Sequence, residues 1–271
     1  MSELISRFKQ EYMRTKKSLG QHFLTNQHFI EEIASAADVA GDLPVVEIGP
    51  GCGVLTKALA ARTKRLTAVE IDDNAAVFLA ANKEEFFPQL AIIHEDVLKV
   101  DIGRIYDEPV TIIGNLPYNL SVKIVDHCSK SIYNIRKMVF MFQKEVAMRI
   151  AASPGSKDYS SLSVFCNYHY EIKKLRDISG GNFWPNANVY STVLVFTPKE
   201  ALLEKNDEEG FFKLVYDAFR QKRKTLYNNL RASQGDLPDI LSYLGFSESV
   251  RAEELSIEDF ISIYKKINEF S

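Results

Sequence analysis

Four groups of residues have the types and spacing to hold a nucleoside. Residues 45–53 read VVEIGPGCG, an apolar run that breaks into alternating glycines. Such glycines let a backbone turn tightly and approach a ligand closely. Glu70 stands about 20 residues further on, where an acid can accept from both hydroxyls of a ribose. Asp96, in His94-Glu95-Asp96, can accept from the exocyclic amine of a base. Asn115, Leu116, Pro117 and Tyr118 close the set with an amide, a fixed φ and a ring face. A dinucleotide fingerprint needs a third glycine at position 54, which is Val54. The spacing therefore speaks against a ligand carrying a pyrophosphate.

Each group ends a short apolar run, at 45–49, 66–70, 90–93 and 110–114. Between these runs, VLTKALAAR and NAAVFLAANKEEF have helical spacing. Strand–helix–strand alternation predicts an α/β fold with a doubly wound, mostly parallel sheet. Ligands of such sheets bind beyond the carboxyl ends of the strands. A glycine turn or a strand-end acid alone is more often structural. Four groups in order at one sheet edge outweigh that reading. Further runs at 137–142, 161–168 and 191–197 are expected to complete the sheet. A helix is expected from near Gln143 to the Ser153-Pro154-Gly155 turn. After Thr197-Pro198-Lys199 the periodicity is helical, broken at Leu237-Pro238 and Gly245. The expected domains are residues 1–199, with a basic N-terminal segment at 1–24, and a small all-helical unit at 200–271.

Apolar residues make up 46% of the 271, enough for a substantial core. No run approaches the roughly 18 apolar residues of a membrane span. The first 18 residues lack the apolar stretch of a secretory signal. Three scattered cysteines suit neither a disulfide framework nor a zinc site, and a cytoplasmic setting is expected. The net charge is −3, but 7–17 and 220–231 are each strongly basic and 200–209 is acidic. Such patches can steer a polyanion whatever the average charge. Each run alone reads more readily as a solvated helix face.

The sequence resembles the S-adenosylmethionine-dependent methyltransferases, and among them the ribosomal RNA adenine dimethyltransferases. The segments that carry the resemblance are KKSLGQHFL (16–24), VVEIGPGCGVLT (45–56), Glu70, EDVL (95–98), NLPYNLS (115–121), YSSLSV (159–164), FWPNANVYS (183–191) and FRQKRKTLYNNL (219–230). The last resembles the small-subunit branch more than the large-subunit resistance branch. Ala187 stands where the family often has a second proline, and Lys222 where it often has arginine. The resemblance implies a Rossmann-like class I methyltransferase domain followed by a helical domain. It places Gly49 and Gly51 against the methionine and ribose of the cofactor. Glu70 would take the ribose hydroxyls and Asp96 the adenine amine. Gln21, His22 and Leu24 would close over the methionine end, with Asn115 bordering the same site.

N6 of adenine is a weak nucleophile because its lone pair is delocalised into the ring. A site that methylates it must align the base, localise that lone pair and draw the base from its stack. Asn115 can accept one N6–H, and by the family pattern the Leu116 carbonyl accepts the other. Pro117 biases Leu116 toward an extended conformation and so aims that carbonyl. Tyr118 offers a stacking face, and the resemblance makes Phe183 a second wall. No general base and no metal is required. Arg220, Lys222, Arg223 and Lys224 could be displayed from a core helix through Phe219 and Leu226, either to meet RNA phosphates or to brace the two domains.

The expected activity is dimethylation of two adjacent adenosines in the 3′-end hairpin loop of small-subunit rRNA, by a monomer acting on the immature 30S subunit. The alternatives are a 23S rRNA methyltransferase of the resistance type and a non-catalytic RNA-binding assembly factor. A DNA adenine methyltransferase would share the tetrapeptide, but no segment resembles a target-recognition domain.

Overall fold

A computed structural model describes residues 2–12, 22–38, 43–231 and 236–270. In chain order its first elements are α1 (Glu3–Tyr12), β1 (Phe23–Leu24), α2 (Gln27–Ala36), β2 (Val45–Ile48), α3 (Val54–Ala60), β3 (Leu66–Glu70), α4 (Asp73–Ala81), α5 (Lys83–Phe86), β4 (Leu90–His94) and β5 (Val110–Asn115). There follow α6 (Ser121–Ser129), β6 (Ile135–Gln143), α7 (Lys144–Ile150), α8 (Ser161–His169), β7 (Tyr170–Ile178), β8 (Phe183–Trp184) and β9 (Ser191–Pro198). The last helices are α9 (Lys205–Ala218), α10 (Leu226–Leu230), α11 (Leu237–Tyr243) and α12 (Ile257–Phe270).

Among the described residues, seven strands form one sheet in the order β4-β3-β2-β5-β6-β9-β7. β2 pairs in parallel with β3 and β5, and β6 continues the parallel run beside β5. β9 lies antiparallel to β6. Every residue of β2 and β3 is buried, which explains why both read as near-continuous apolar runs. The strand order reverses between β2 and β5, the position where such sheets open a crevice for ligands. The register puts Ile48 opposite both Val69 and Gly114. The segments after β2, β3 and β5 therefore emerge side by side. The expected α/β architecture is borne out.

One expected element differs and one was not foreseen. Residues 161–168 form helix rather than strand. The Ser160 N–H donates to Ser163 Oγ (3.0 Å), a capping-box bond that starts α8. Val164 and Tyr168, four residues apart, then bury on one helix face against the Phe211 cluster. The outer sheet strand is instead β7, YEIKKLRDI, whose interior is mostly exposed. Its lysines suit an edge strand and hide it from an apolar-run search.

Residues up to 147 together with 172–198 make one compact unit, and 148–171 with 199 onward make a second. The boundary expected at 199/200 is thus joined by an earlier crossing, because α8 packs with the helices. The second unit gathers Tyr168, Phe211, Leu226, Leu241 and Phe260 into its own core. In the first unit, α1 buries Leu4, Ile5 and Phe8. Phe8 meets Phe78 of α4 edge-on at 5.1 Å. Within the basic N-terminal segment, Glu3–Tyr12 is therefore a docked helix. Its Arg7 forms a two-pronged ion pair with Glu85 (2.7 and 2.8 Å). No helix among the described residues is long and apolar enough to cross a membrane.

Candidate active site

β2 runs into Gly49-Pro50-Gly51-Cys52-Gly53, and Gly53 opens α3. Gly51 has φ +56°, a conformation that strains L side chains. A Cβ there would also stand 2.6 Å from the Phe23 ring. Glycine is what lets β1 lie across the loop. β1 is held from its other side by β8, with Phe23 opposite Trp184 and Leu24 opposite Phe183. The Phe23 and Trp184 rings stack at 6.2 Å. Gly114 allows a similar approach inside the sheet, since a Cβ on it would meet the Ile48 carbonyl oxygen at 2.6 Å.

Glu70 ends β3 at 4% exposure. Its Oε2 accepts the Gly51 N–H (3.0 Å) and its Oε1 accepts the Asp72 N–H (2.8 Å). Burial raises the pKa of this carboxyl, and the two N–H donors oppose the rise. Asp96 is half-buried just past β4, and its Oδ1 accepts the Leu98 N–H (3.0 Å). Glu47 within β2 is 1% exposed, and its Oε2 has no hydrogen-bond partner among the described residues. Burial pushes this carboxyl up to about 8, opposed by the Thr56 hydroxyl and aided by the charge of Glu70. Burial also pushes the Cys52 thiol up to about 12, so it has no thiolate reactivity.

Asn115 ends β5, and its Nδ2 donates to the His22 carbonyl (2.9 Å). A carbonyl only accepts, so this contact fixes which way the amide faces and leaves Oδ1 for a ligand. The Leu116 side chain is buried. The Pro117 carbonyl accepts the Leu120 N–H (3.0 Å) and the Tyr118 carbonyl accepts the Ser121 hydroxyl (3.2 Å). No described residue donates to the Leu116 carbonyl. The Tyr118 hydroxyl lies 3.0 Å from Ser191 Oγ. His22 Nδ1 lies 2.8 Å from the Pro185 carbonyl, so that nitrogen carries the hydrogen. Leu24, Glu47, Gly49, Asn115 and Met141 line one cavity of about 50 Å³.

The matching sequence profile is that of the family described as ribosomal RNA adenine dimethylase, and it covers residues 12–269. The chain belongs to the ribosomal RNA adenine dimethylase family. The resemblance drawn from the motifs is borne out. The ribosomal RNA small subunit methyltransferase A of Ligilactobacillus salivarius is 37% identical over 262 residues, 92% of this chain and 88% of that protein. Its namesake in Laribacter hongkongensis is 38% identical over 257 residues, 94% and 96% of the two chains. The crystal structure of a dimethyladenosine transferase from Plasmodium falciparum shares the fold with a TM-score of 0.79, at 24% identity, over 92% of this chain and 98% of that one. The 23S rRNA methyltransferase ErmE superposes with a TM-score of 0.72 at 25% identity, over 91% and 99%.

In this dimethylase the structure joins Gly51 to Glu70 and Asn115 to His22, and sets Leu24 and Gly49 beside Asn115. Asp96 stands on the next strand end, while Gln21 lies outside the described residues. Phe183, expected as a stacking wall, is 1% exposed and belongs to the core. The basic residues are in the second unit. Arg220, Lys222, Arg223 and Lys224 are exposed on the turn between α9 and α10, not on one continuous helix. Thr225 restarts the helix by accepting the Asn228 N–H (3.3 Å), and Leu226 anchors it inside. Lys222 Nζ lies 3.8 Å from Glu253, which ties it within this unit. The sequence reading passed over Glu47, although an acid inside VVEIG is a visible signal. Pro185 and Ser191 lie in FWPNANVYS (183–191), which carried the resemblance but gave neither residue a role.

Proposed function

We propose that this protein transfers methyl groups from S-adenosylmethionine to N6 of two adjacent adenosines in the 3′-end hairpin loop of small-subunit rRNA, within the immature 30S particle in the cytoplasm. The observation that carries this is the orientation of Asn115 at the end of β5, with Oδ1 left open beside the glycine loop. The small-subunit assignment is supported by relatives of that name at 37% and 38% identity along nearly the whole chain.

The residues present fit the cofactor. An unpartnered buried Glu47 oxygen and the buried Glu70 carboxyl leave hydrogen-bonding capacity beside the glycine loop for a polar ligand. Gly49 and Gly51 would hold its methionine and ribose part, Glu70 the ribose hydroxyls and Asp96 the adenine amine. The cofactor supplies an electrophilic methyl group when bound. The rest is done by the chain. Asn115 Oδ1 and the Leu116 carbonyl accept the two N6 hydrogens, which draws the lone pair out of the ring. Pro117 fixes the backbone that aims the Leu116 carbonyl. Tyr118, held through its hydroxyl by Ser191, gives the extruded base a platform. The methylated ammonium is acidic enough to lose its proton to water. Arg220, Arg223 and Lys224 are exposed cations suited to phosphate contacts.

Methylation of immature small subunits, with the modified bases mapped, tests this reading. Two adjacent N6-dimethyladenosines in the 3′ hairpin are expected. Modification of naked 23S RNA alone would transfer the protein to the large-subunit branch. An absence of S-adenosylmethionine binding by calorimetry would leave a non-catalytic assembly factor.

A further inference from the structure

β6 ends where β9 begins, with Gln143 opposite Ser191. One residue beyond that pair, the Lys144 N–H donates to the Tyr190 carbonyl (2.9 Å). Lys144 and Tyr190 therefore stand at the rim of the site, next to the serine that meets the Tyr118 hydroxyl (3.0 Å). Tyr190 is 56% exposed, and Val189 before it is exposed as well. The Lys144 ammonium lies 5.6 Å from the centroid of the Tyr190 ring. Its place is fixed by a carboxylate. Asp177 Oδ1 accepts the Thr192 hydroxyl (2.7 Å), and Oδ2 accepts from both Lys144 (3.3 Å) and Lys174 (2.8 Å). The Lys174 ammonium, with Thr192 and Lys144, pulls the Asp177 carboxyl down to about 2 against its partial burial, so it stays ionised. Two cations share one anion, which leaves a net positive charge beside an open ring. The function proposed above uses none of these four residues.

We propose that Tyr190 and Lys144 form an RNA contact outside the target-base position, in which Tyr190 stacks a base flanking the target adenosine and Lys144 takes the adjoining phosphate. This rests on the function proposed above. Consecutive Cα atoms are about 3.8 Å apart, so Tyr190 stands one residue from the anchor of the Tyr118 platform. The strand that carries the target adenosine passes that point. An aromatic face beside a cation suits a single strand, because every base has a π-face and every linkage a negative charge. An apolar peptide would leave the shared lysine charge unmatched, whereas a polyanion matches it. The Thr192–Asp177 brace holds the ammonium in advance, so little ordering remains when the phosphate arrives.

The test compares Tyr190→Ala, Tyr190→Phe and Lys144→Gln with the wild type on immature small subunits. A contact made equally in the ground and transition states raises KM and leaves kcat in place. Loss of one stacked base predicts a KM for the particle roughly 5- to 100-fold higher in Tyr190→Ala. Tyr190→Phe keeps the ring and is expected within about twofold of wild type. Lys144→Gln is expected to reduce the slope of log affinity for the particle against log salt by about 1, the value for one phosphate contact. The affinity for S-adenosylmethionine, measured by calorimetry without RNA, is expected to stay at the wild-type value in all three. The thermal midpoint of Tyr190→Ala is expected to stay there too, since the ring is exposed. Wild-type KM in Tyr190→Ala would overturn the contact. So would a rise that Tyr190→Phe shares, or an unchanged salt slope in Lys144→Gln. If the wild type binds the cofactor but leaves the particle unmodified, the substrate reading fails and takes this contact with it. A working wild type with indifferent variants fails the contact alone.

Discussion

The two halves of the site are built differently. On the β2–β3–β4 side, the acids at the ends of β3 and β4 are already bonded to nearby backbone. Glu70 takes its N–H donors from 19 and 2 residues away, and Asp96 caps its own turn. On the β5 side the partners are remote. Asn115 meets a carbonyl 93 residues back, Tyr118 a serine 73 residues on, and His22 a carbonyl 163 residues on. The first half is wired by strand-end turns and forms wherever the sheet forms. The second exists only when β1, β5, β8 and β9 are all in place. Ligand recognition on the first side is therefore local, and alignment on the second depends on distant packing.

The sharpest way to break the comparison is Asn115→Ala. It removes an acceptor that strengthens as N6 rehybridises, so kcat is expected to fall about 10²- to 10³-fold. Cofactor affinity by calorimetry is expected to change little. A near-normal kcat would undo the role of Asn115. Glu70→Ala should act in the opposite sense, weakening cofactor binding by about 10- to 100-fold through lost charge-assisted bonds. Intact affinity would remove the ribose assignment. Gly51→Ala meets both a left-handed φ and the Phe23 ring, and should lower stability by about 2 kcal/mol or more. Thermal unfolding reads this directly, and an unchanged midpoint would mean β1 moves aside freely.

The smallest effect concerns Glu47. Its carboxyl titrates at about 8 in the folded protein against an ordinary 4.5. The folded state thus holds a proton that the unfolded state releases between those values. Stability is full below pH 4.5 and falls as pH rises toward about 8, by about 1.4 kcal/mol per pH unit at most. Glu47→Gln should flatten that slope in denaturant titrations across this range. An unchanged slope would show that the proton is held elsewhere.

What could be read in the sequence follows the same division. β2, β3, β4 and β5 were legible because buried parallel strands are short apolar runs between amphipathic helices. The groups after them were legible because turn chemistry is local. β7 was hidden by its edge charges, and α8 by residues that suit either state until Ser160 caps it. β1 and β8 span two residues each, too short for any period to show. The buried position of Phe183 follows from their pairing and could not be read from the motif.

The amino-acid sequence by itself determined the sheet, the glycine loop, the acids at its strand ends and the Asn-Leu-Pro-Tyr turn. Spacing of 2 and 3.6 residues and the chemistry of neighbouring residues suffice for these. The tertiary structure alone decided which way the Asn115 amide faces, which hydroxyl meets Tyr118, and which unit residues 148–171 join. Those outcomes depend on contacts between segments far apart in the chain, and no local pattern encodes a distance between them.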